Sequence, residues 1–194
     1  MEAALGLIEV EGVAGIILAS DAACKAAEVE LLGWESTGGF TTVFFGGSLS
    51  SVTAALRGGE AAAREVTDKV VAAPLSRPEP ACRQQFSFPV DPSIQVRPGA
   101  LGLLETRGYA AQVIANDRMV KAAAVEVINV LTVHNRVVCS LIQGDVGAVK
   151  EAIAVGRQVL AGYEHLLAAA VIPQPVPAVL QAFGPRPQTA GGGV

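Results

Sequence analysis

The chain has 194 residues, a net charge of −4 and an apolar fraction of 51%, with only 5% aromatic residues. This charge excludes a typical nucleic-acid-binding protein, which needs clustered Lys and Arg against the phosphate backbone. No apolar run is long enough for a transmembrane helix, and the acidic start Met-Glu-Ala-Ala lacks the basic region of a signal peptide, so we expect a cytoplasmic protein. The apolar surplus must then be buried in cores or between subunits.

The chain consists of two copies of one repeated sequence. The segment Ala4–Glu9, with the sequence Ala-Leu-Gly-Leu-Ile-Glu, recurs at Ala100–Glu105 as Ala-Leu-Gly-Leu-Leu-Glu. About half of the positions from 4 to 30 have an identical partner in the second copy, which indicates duplication rather than shared composition. After a shift of one residue the pairing continues, with Gly47 matching Gly144, and the motif Pro-x-Pro-Ala-x-x-Gln-x-Phe closes both copies.

The repeat sets the domain boundaries, because each copy has the size of a compact domain. We predict a first domain over residues 1–88 and a second domain over 99–184. The connecting segment 89–98 contains three prolines, which predict a semi-rigid linker. The glycine- and proline-rich segment 185–194 is predicted to be a disordered tail.

Each copy predicts the element order β-α-β-β-α-β, followed by a short helix at the Pro-x-Pro-Ala motif. The strands predicted from apolar runs are Ala4–Glu9, Val29–Glu35, Phe40–Gly46 and Val70–Ala73 in the first copy. After Ala100–Glu105, those of the second copy are Val125–Leu131, Val137–Ile142 and Leu166–Ile172. Ser20 and Asn116 are expected to be N-caps of the first helices, and a second helix is expected after Gly47 and Gly144. The fold class is therefore α/β (α+β): two tandem ferredoxin-like domains, each an antiparallel sheet with helices on one face.

These repeated motifs resemble the bacterial microcompartment shell domain. The resemblance rests on the strand Ala-Leu-Gly-Leu-Ile-Glu, the motif Asp-Ala-x-x-Lys-Ala-Ala, the strand Val-Glu-Leu-Leu-Gly-Trp and a glycine-rich turn, in this order, and it covers nearly all of both copies. Single-domain members form flat hexamers, whereas members with two fused domains form trimers that imitate those hexamers. The resemblance therefore implies a structural shell protein whose pseudohexameric homotrimers tile into a facet. Its expected partners are other shell proteins and encapsulated enzymes.

The resemblance also implies contact residues at the tile edge. The edge lysine of the family matches Lys25 and Lys121. The Arg-Pro pair of the family matches Arg77-Pro78 in the first copy, whereas the second copy has Gln174-Pro175. A solvated helix charge is the plainer interpretation of a single lysine, but two lysines in matching frames favour a shared role.

The pore of the family lies at the turn between the second and third strands. The matching candidates are Ser36, Thr37, Gly38 and Gly39 in the first copy, and Val133, His134, Asn135 and Arg136 in the second. Three copies of Arg136 around one axis would attract anionic metabolites, because a narrow channel focuses the field of its charges. The alternative is that Arg136 points along a face and pairs with a carboxylate such as Glu35.

We expect no cofactor, no metal and no catalytic activity. Some tandem members of the family bind an iron–sulfur cluster through a pore cysteine, but Cys139 falls inside the predicted third strand. Zinc held by three copies of His134 is a weaker alternative. No nucleophile, acid–base pair or cofactor loop is visible. The alternative function is a tandem ferredoxin-like regulatory module that binds a small molecule, because a fold does not fix a function.

Overall fold

A computed structural model describes residues 4–78, 97–133, 136–162 and 165–184. Unit 1, residues 4–75, contains β1 (Ala4–Glu11), α1 (Ala14–Ala26), β2 (Glu30–Thr37), β3 (Phe40–Gly47), α2 (Leu49–Ala63) and β4 (Val70–Leu75). Unit 2, residues 100–184, contains β5 (Ala100–Arg107), α3 (Tyr109–Ala122), β6 (Val125–Val133), β7 (Val137–Gly144), α4 (Val146–Leu160), β8 (Leu166–Ile172) and α5 (Pro177–Phe183). The described helices include none that is both long and apolar enough to cross a membrane.

The two units have the same antiparallel topology, with strand orders β2-β3-β1-β4 and β6-β7-β5-β8. Each central strand carries a glycine where a helix packs against the sheet. A Cβ at Gly6 would lie 2.7 Å from the Val52 side chain, and one at Gly102 would lie 2.8 Å from Val149. The helices of each unit therefore pack on one face of its sheet, which confirms the predicted fold class.

The second helix of each unit buries the face that the sequence pattern predicts. In α2 the buried residues include Val52, Ala55, Leu56 and Gly59. In α4 they are Val149, Ala152, Ile153, Gly156 and Leu160. These positions recur at the helical period, so one stripe faces the sheet and the first helix of the unit. Ser48 caps α2 by accepting a hydrogen bond from the Ser51 N–H at 3.1 Å.

The N-caps predicted for the first helices are wrong. Helix α1 begins at Ala14 and α3 at Tyr109, so both Ser20 and Asn116 lie inside a helix. The Ser20 hydroxyl instead donates to the Ile16 carbonyl at 2.7 Å, a local bond that a serine within a helix can form. A glycine precedes each helix start, and Gly12 and Gly108 adopt φ values of +96° and +91°. The chain turns from strand to helix at these glycines, because other residues are strained there.

The strands run slightly past their predicted ends. In unit 1 the tight turn is reduced to Gly38 and Gly39, since Ser36 and Thr37 still pair with β3. In unit 2 the pairing of β6 with β7 extends to Val133 opposite Val137. The strand β8 has the predicted bounds, and the terminal helix of unit 2 begins at Pro177. The matching helix of the first copy, residues 89–96 of the linker and the tail lie outside the described residues, as do His134 and Asn135.

The two units share one hydrophobic core. The face of the unit 2 sheet that carries no helix of its own includes Leu101, Leu103 and Leu141, and these residues belong to the same buried cluster as α1 of unit 1. Helix α1 contacts β5, β8 and α5 of unit 2. It is therefore covered on one side by its own unit and on the other by the neighbouring sheet.

Helix α5 closes this contact on unit 1. The Trp34 ring in β2 stacks on the Phe183 ring with centroids 5.2 Å apart, and its Nε1–H donates to the Ala182 carbonyl at 3.0 Å. From unit 2, the Asn129 amide donates to the carbonyls of Phe183 and Gly184 at 2.8 and 3.0 Å. Both units thus bind the carboxyl end of the same helix.

Candidate functional site

The two predicted edge lysines occupy equivalent places in the last turns of α1 and α3. The Lys25 Nζ donates to the Asp21 carboxylate at 2.6 Å, and the Lys121 Nζ donates to Asp117 at 2.8 Å. Both lysines are exposed, and each bond spans one helical turn. Such a pair contributes only a few tenths of a kcal/mol to a helix, but it orients the ammonium group at the surface.

In unit 1, Asp21 also connects Lys25 to the segment that contains Gln174. Asp21 is buried, and its second carboxylate oxygen accepts from the Val176 N–H at 2.8 Å. Lys25 and the Gln174 segment therefore lie on either side of one carboxylate. Gln174 itself is exposed just after β8, and Arg77 is exposed at the equivalent point after β4. Asp21 thus links Lys25 to the segment that follows Gln174, while the tile-edge role of the four residues stays a prediction.

The last residue of each predicted pore turn makes an equivalent backbone hydrogen bond, although the sequences of the turns differ. Gly39 has φ +95° and its carbonyl accepts from the Gly12 N–H at 2.9 Å. Arg136 has φ +64° and its carbonyl accepts from the Gly108 N–H at 2.6 Å. Arg136 therefore holds a left-handed conformation that costs about 1–2 kcal/mol for a residue with a Cβ. In both units the turn is therefore hydrogen-bonded to the glycine that precedes the first helix.

Arg136 lies beside a cavity of about 340 Å³ between the two units. The charged residues that line it are Glu11, Glu105, Arg107 and Arg136. Among the ion pairs of the described residues, none includes Arg136, and the Glu35 carboxylate accepts from the Ser36 N–H at 3.0 Å. Glu11 pairs with Lys69. The arginine is thus exposed at the mouth of an inter-unit cavity.

Glu105 is the functional group that the sequence analysis missed. It ends an apolar strand, is only 4% exposed, and accepts hydrogen bonds from the Val13 and Ala14 N–H groups at 2.5 and 2.8 Å. These two donors open α1, so a carboxylate of unit 2 caps a helix of unit 1. Burial raises the pKa of the Glu105 carboxyl, while the two backbone hydrogen bonds oppose that shift. The available signal was a glutamate repeated at Glu9 and Glu105 within otherwise apolar strands.

The described cysteines are buried or half-buried thiols. Cys139 lies inside β7, where burial and the neighbouring Glu105 raise its pKa. Burial and Asp21 raise the pKa of Cys24 to about 11. Both groups are therefore protonated at neutral pH and are poor ligands and nucleophiles there. Cys82 lies outside the described residues.

Comparison with known proteins finds the same domain in each half of the chain. The family model described as the BMC domain matches residues 4–75 and 100–175. The carboxysome assembly protein CcmO of Synechococcus elongatus is 31% identical over 194 residues, covering 96% of this chain and 70% of CcmO. The bacterial microcompartment shell protein EutM of Escherichia coli is 38% identical over 76 residues, covering 39% of this chain and 78% of EutM.

A crystal structure of a microcompartments protein from Desulfitobacterium hafniense DCB is 25% identical, covers 91% of this chain and 97% of its own, and has a TM-score of 0.40. The two family matches extend over most of the chain and coincide with the two structural units from β1 to β4 and from β5 to β8. The chain therefore belongs to the bacterial microcompartment (BMC) domain family, as a member with two domains in tandem.

Proposed function

We propose that this chain is a structural shell protein of a bacterial microcompartment, without catalytic activity. The single observation that carries the proposal is the presence of two BMC domains in one chain, each with the complete β-α-β-β-α-β order. Relatives that match one or both domains are named as carboxysome assembly and microcompartment shell proteins. The alternative, a small-molecule regulatory module, is not favoured by these relatives.

The proposed assembly is a homotrimer with pseudo-sixfold symmetry. Three chains with two similar domains each supply six wedges, and closed rings are the common outcome for head-to-tail contacts that repeat around an axis. Light scattering should return about three times the chain mass of 19.8 kDa. A monomer or a dimer would contradict the assembly.

The proposed tile edge contains Lys25, Lys121, Arg77 and Gln174. All four are exposed, and both lysines are oriented by an aspartate one turn earlier. We expect the double variant Lys25→Ala/Lys121→Ala to keep its trimer but to lose extended sheets in negative-stain microscopy, because the edge contact recurs at every tile. The matched control is Lys69→Ala/Lys150→Ala, which removes the same charge from exposed lysines elsewhere. Sheets that persist in the first variant would refute the edge assignment.

The proposed central opening is formed by the turns that contain Ser36, Thr37, Gly38 and Gly39 in unit 1, and Val133, His134, Asn135 and Arg136 in unit 2. Arg136 is exposed, and its guanidinium is a cationic group with five N–H donors. We therefore infer that carboxylate, phosphate or sulfate groups enter this opening in preference to cations. Sulfate-soaked crystals should show density on the axis in the wild type and lose it in Arg136→Ala. Unchanged density in the variant would show that Arg136 does not select anions.

A further inference from the structure

The cavity between the two units has the size and lining of a small-molecule binding site. Its volume of about 340 Å³ lies within the range of about 300–1,000 Å³ that is common for such sites. Unit 1 contributes the end of β1 and the segment between α2 and β4, with Gly12, Val66 and Thr67 in the lining. Unit 2 contributes the end of β5 and the starts of β7 and β8, with Val137 and Leu167. The cavity therefore combines apolar side chains with polar and charged ones.

Both carboxylates that line the cavity already have partners within the chain. Glu105 accepts hydrogen bonds from the Val13 and Ala14 N–H groups at 2.5 and 2.8 Å. Glu11 pairs with the ammonium group of Lys69. The negative charges of the lining are thus bound by groups of the protein itself.

The two arginines of the cavity differ from the carboxylates in this respect. Within the described parts of the chain, no ion pair and no side-chain hydrogen bond includes Arg107 or Arg136. Strand pairing places Arg107 opposite Val137, the residue that follows Arg136. Each guanidinium group offers a planar fork of N–H donors. The lining therefore contains two neighbouring cationic groups that are available to an anion.

The backbone at both arginines is held in place. The Arg107 N–H donates to the His165 carbonyl at 2.7 Å, and the Arg136 carbonyl accepts from the Gly108 N–H at 2.6 Å. Arg136 also keeps a φ of +64°, a left-handed conformation that persists in residues with a Cβ only where the surrounding structure maintains it. The positions from which the two side chains extend are therefore fixed before any ligand binds.

The arginine pair distinguishes unit 2 from unit 1. In the strand register of unit 1, the residue equivalent to Arg107 is Glu11. The residue equivalent to Arg136 is Gly39, which precedes β3 as Arg136 precedes β7. Unit 1 thus has a carboxylate and a glycine where unit 2 has two guanidinium groups. Within the described residues, the duplication provides one such pair in each chain, so we expect one site per chain.

Two neighbouring guanidinium groups suit a phosphate monoester better than a carboxylate. A carboxylate can be bound by a single guanidinium in a bidentate manner. A phosphate monoester has three acceptor oxygens and a charge of about −1.5 to −2 at pH 7, so it can bind both groups. The apolar side chains of the lining provide a surface for the carbon atoms of the ester.

We propose that the cavity between the units binds a small phosphate monoester, with Arg107 and Arg136 on its phosphate group and Val66, Val137 and Leu167 against its organic part. This inference goes beyond the shell function, because the site lies within one chain and requires neither a trimer nor a pore. It is also separate from the passage of anions through the proposed opening, since Arg107 is not among the residues of that opening. The ligand contacts both units and so stabilises the contact between them.

Isothermal titration calorimetry of the whole chain with glycerol 3-phosphate tests the site. We expect saturable binding of one ligand per chain. The affinity should be lower by about ten-fold or more in Arg107→Gln and in Arg136→Gln, because each variant loses charge-assisted hydrogen bonds. Both side chains are exposed, so both variants should give the circular dichroism spectrum of the wild type. The matched control Arg157→Gln removes an exposed arginine of α4 and should bind as the wild type does.

Three results of this titration would overturn the site. They are the absence of saturable binding in the wild type, an unchanged affinity in Arg107→Gln, and an equal loss in the control Arg157→Gln. A loss confined to Arg136→Gln would place the anion at the proposed opening instead of in the cavity. Each of these results leaves the shell proposal standing, because that proposal is tested by the mass of the assembly and by the formation of sheets.

Two further probes separate the phosphate group from the organic part. Inorganic phosphate should bind about ten-fold more weakly than glycerol 3-phosphate, since it lacks the carbon atoms that contact the apolar lining. Lactate, which has a carboxylate on a short organic body, should also bind about ten-fold more weakly, because it cannot use both arginines fully. Equal affinities for inorganic phosphate and glycerol 3-phosphate would overturn the organic ligand, and tighter binding of lactate would overturn the preference for phosphate.

Crystals grown with glycerol 3-phosphate locate the ligand directly. The difference map of the wild type should show the phosphate group between the Arg107 and Arg136 side chains, and the map of Arg107→Gln should not. Phosphate density elsewhere in the wild type, with an empty cavity, would refute the assignment.

Discussion

The cores beneath the first helices of the two units differ in chemistry although they have the same backbone. In unit 1, Val10, Ile16 and Val43 meet there and are all 0% exposed. In unit 2 the equivalent positions hold three polar residues, Thr106, Gln112 and Ser140, which are equally buried. The same fold therefore accepts either an apolar set or a polar set at this point, provided that the set is complete.

Every polar side chain of the unit 2 set is hydrogen-bonded, because the Gln112 amide binds both of the other members. The Gln112 Nε2 donates to the Ser140 hydroxyl at 2.7 Å and to the Leu104 carbonyl at 3.2 Å, and its Oε1 accepts from the Thr106 hydroxyl at 2.6 Å. A buried polar group is costly only when it lacks a partner. The comparison shows that the fold determines which positions are buried. Polar residues can occupy those positions when each of them finds a hydrogen-bond partner.

The largest effect should come from mixing the two sets. We expect Ile16→Gln to destabilise the protein by about 4 kcal/mol or more, because the amide would enter an apolar site with no hydroxyl partners and would lose the packing of the isoleucine. Urea unfolding followed by circular dichroism measures this loss. A cost below about 1 kcal/mol would show that the unit 1 core can accommodate an unpaired amide.

Removing the centre of the polar set should cost less. Gln112→Ala should lower the free energy of unfolding by about 2–3 kcal/mol, since it deprives Ser140 of its amide donor and leaves a cavity. The control replaces the whole set by that of unit 1, as Thr106→Val/Gln112→Ile/Ser140→Val. We expect this triple variant to lie within about 1.5 kcal/mol of the wild type, because both hydroxyl groups are removed together with the amide that binds them. A triple variant less stable than Gln112→Ala would contradict the equivalence of the two cores.

Much of this organisation could be predicted from the sequence. The repeat gave the two units, and the period of apolar residues gave the buried stripes of α2 and α4. The starts of α1 and α3 could not be predicted from local capping signals. Helix α1 is capped by Glu105 on a distant strand, and α3 follows Gly108, which has no side chain to form a cap. The packing of α1 on the unit 2 sheet could not be predicted from the sequence either, because the pattern of an apolar helix does not indicate which second surface covers it.

The capping carboxylate should make stability depend on pH. Burial raises the pKa of the Glu105 carboxyl above its ordinary value of 4.5, so the folded protein binds this proton more readily than the unfolded chain does. The stability associated with this proton is fully present below pH 4.5 and is lost as the pH rises through the raised value. We expect Glu105→Gln to remove this decline when unfolding midpoints are measured from pH 4 to 8. Glu11→Gln is the control, and a variant with an unchanged slope would argue against the shifted carboxyl.

The smallest expected effect concerns the turn that differs between the units. Arg136 adopts φ +64° where unit 1 has Gly39, so Arg136→Gly should be about 1 kcal/mol more stable than Arg136→Ala. Both variants remove the same charge, and the difference between them therefore isolates the backbone conformation. Thermal unfolding of the pair measures it. Equal stabilities would indicate that the turn relaxes when the arginine is removed.

The stacking of Trp34 on Phe183 has a consequence for synthesis on the ribosome. The ring lies in β2, near the start of the chain, and its partner lies in α5, the last described element. Domains generally begin to fold in order from the N-terminus during translation, so unit 1 emerges with the edge of β2 uncovered until α5 has been synthesised. Trp34 is the only tryptophan of the chain. Its fluorescence should therefore change when α5 docks, and it provides a natural reporter of the moment at which α5 joins the two units of a newly made chain.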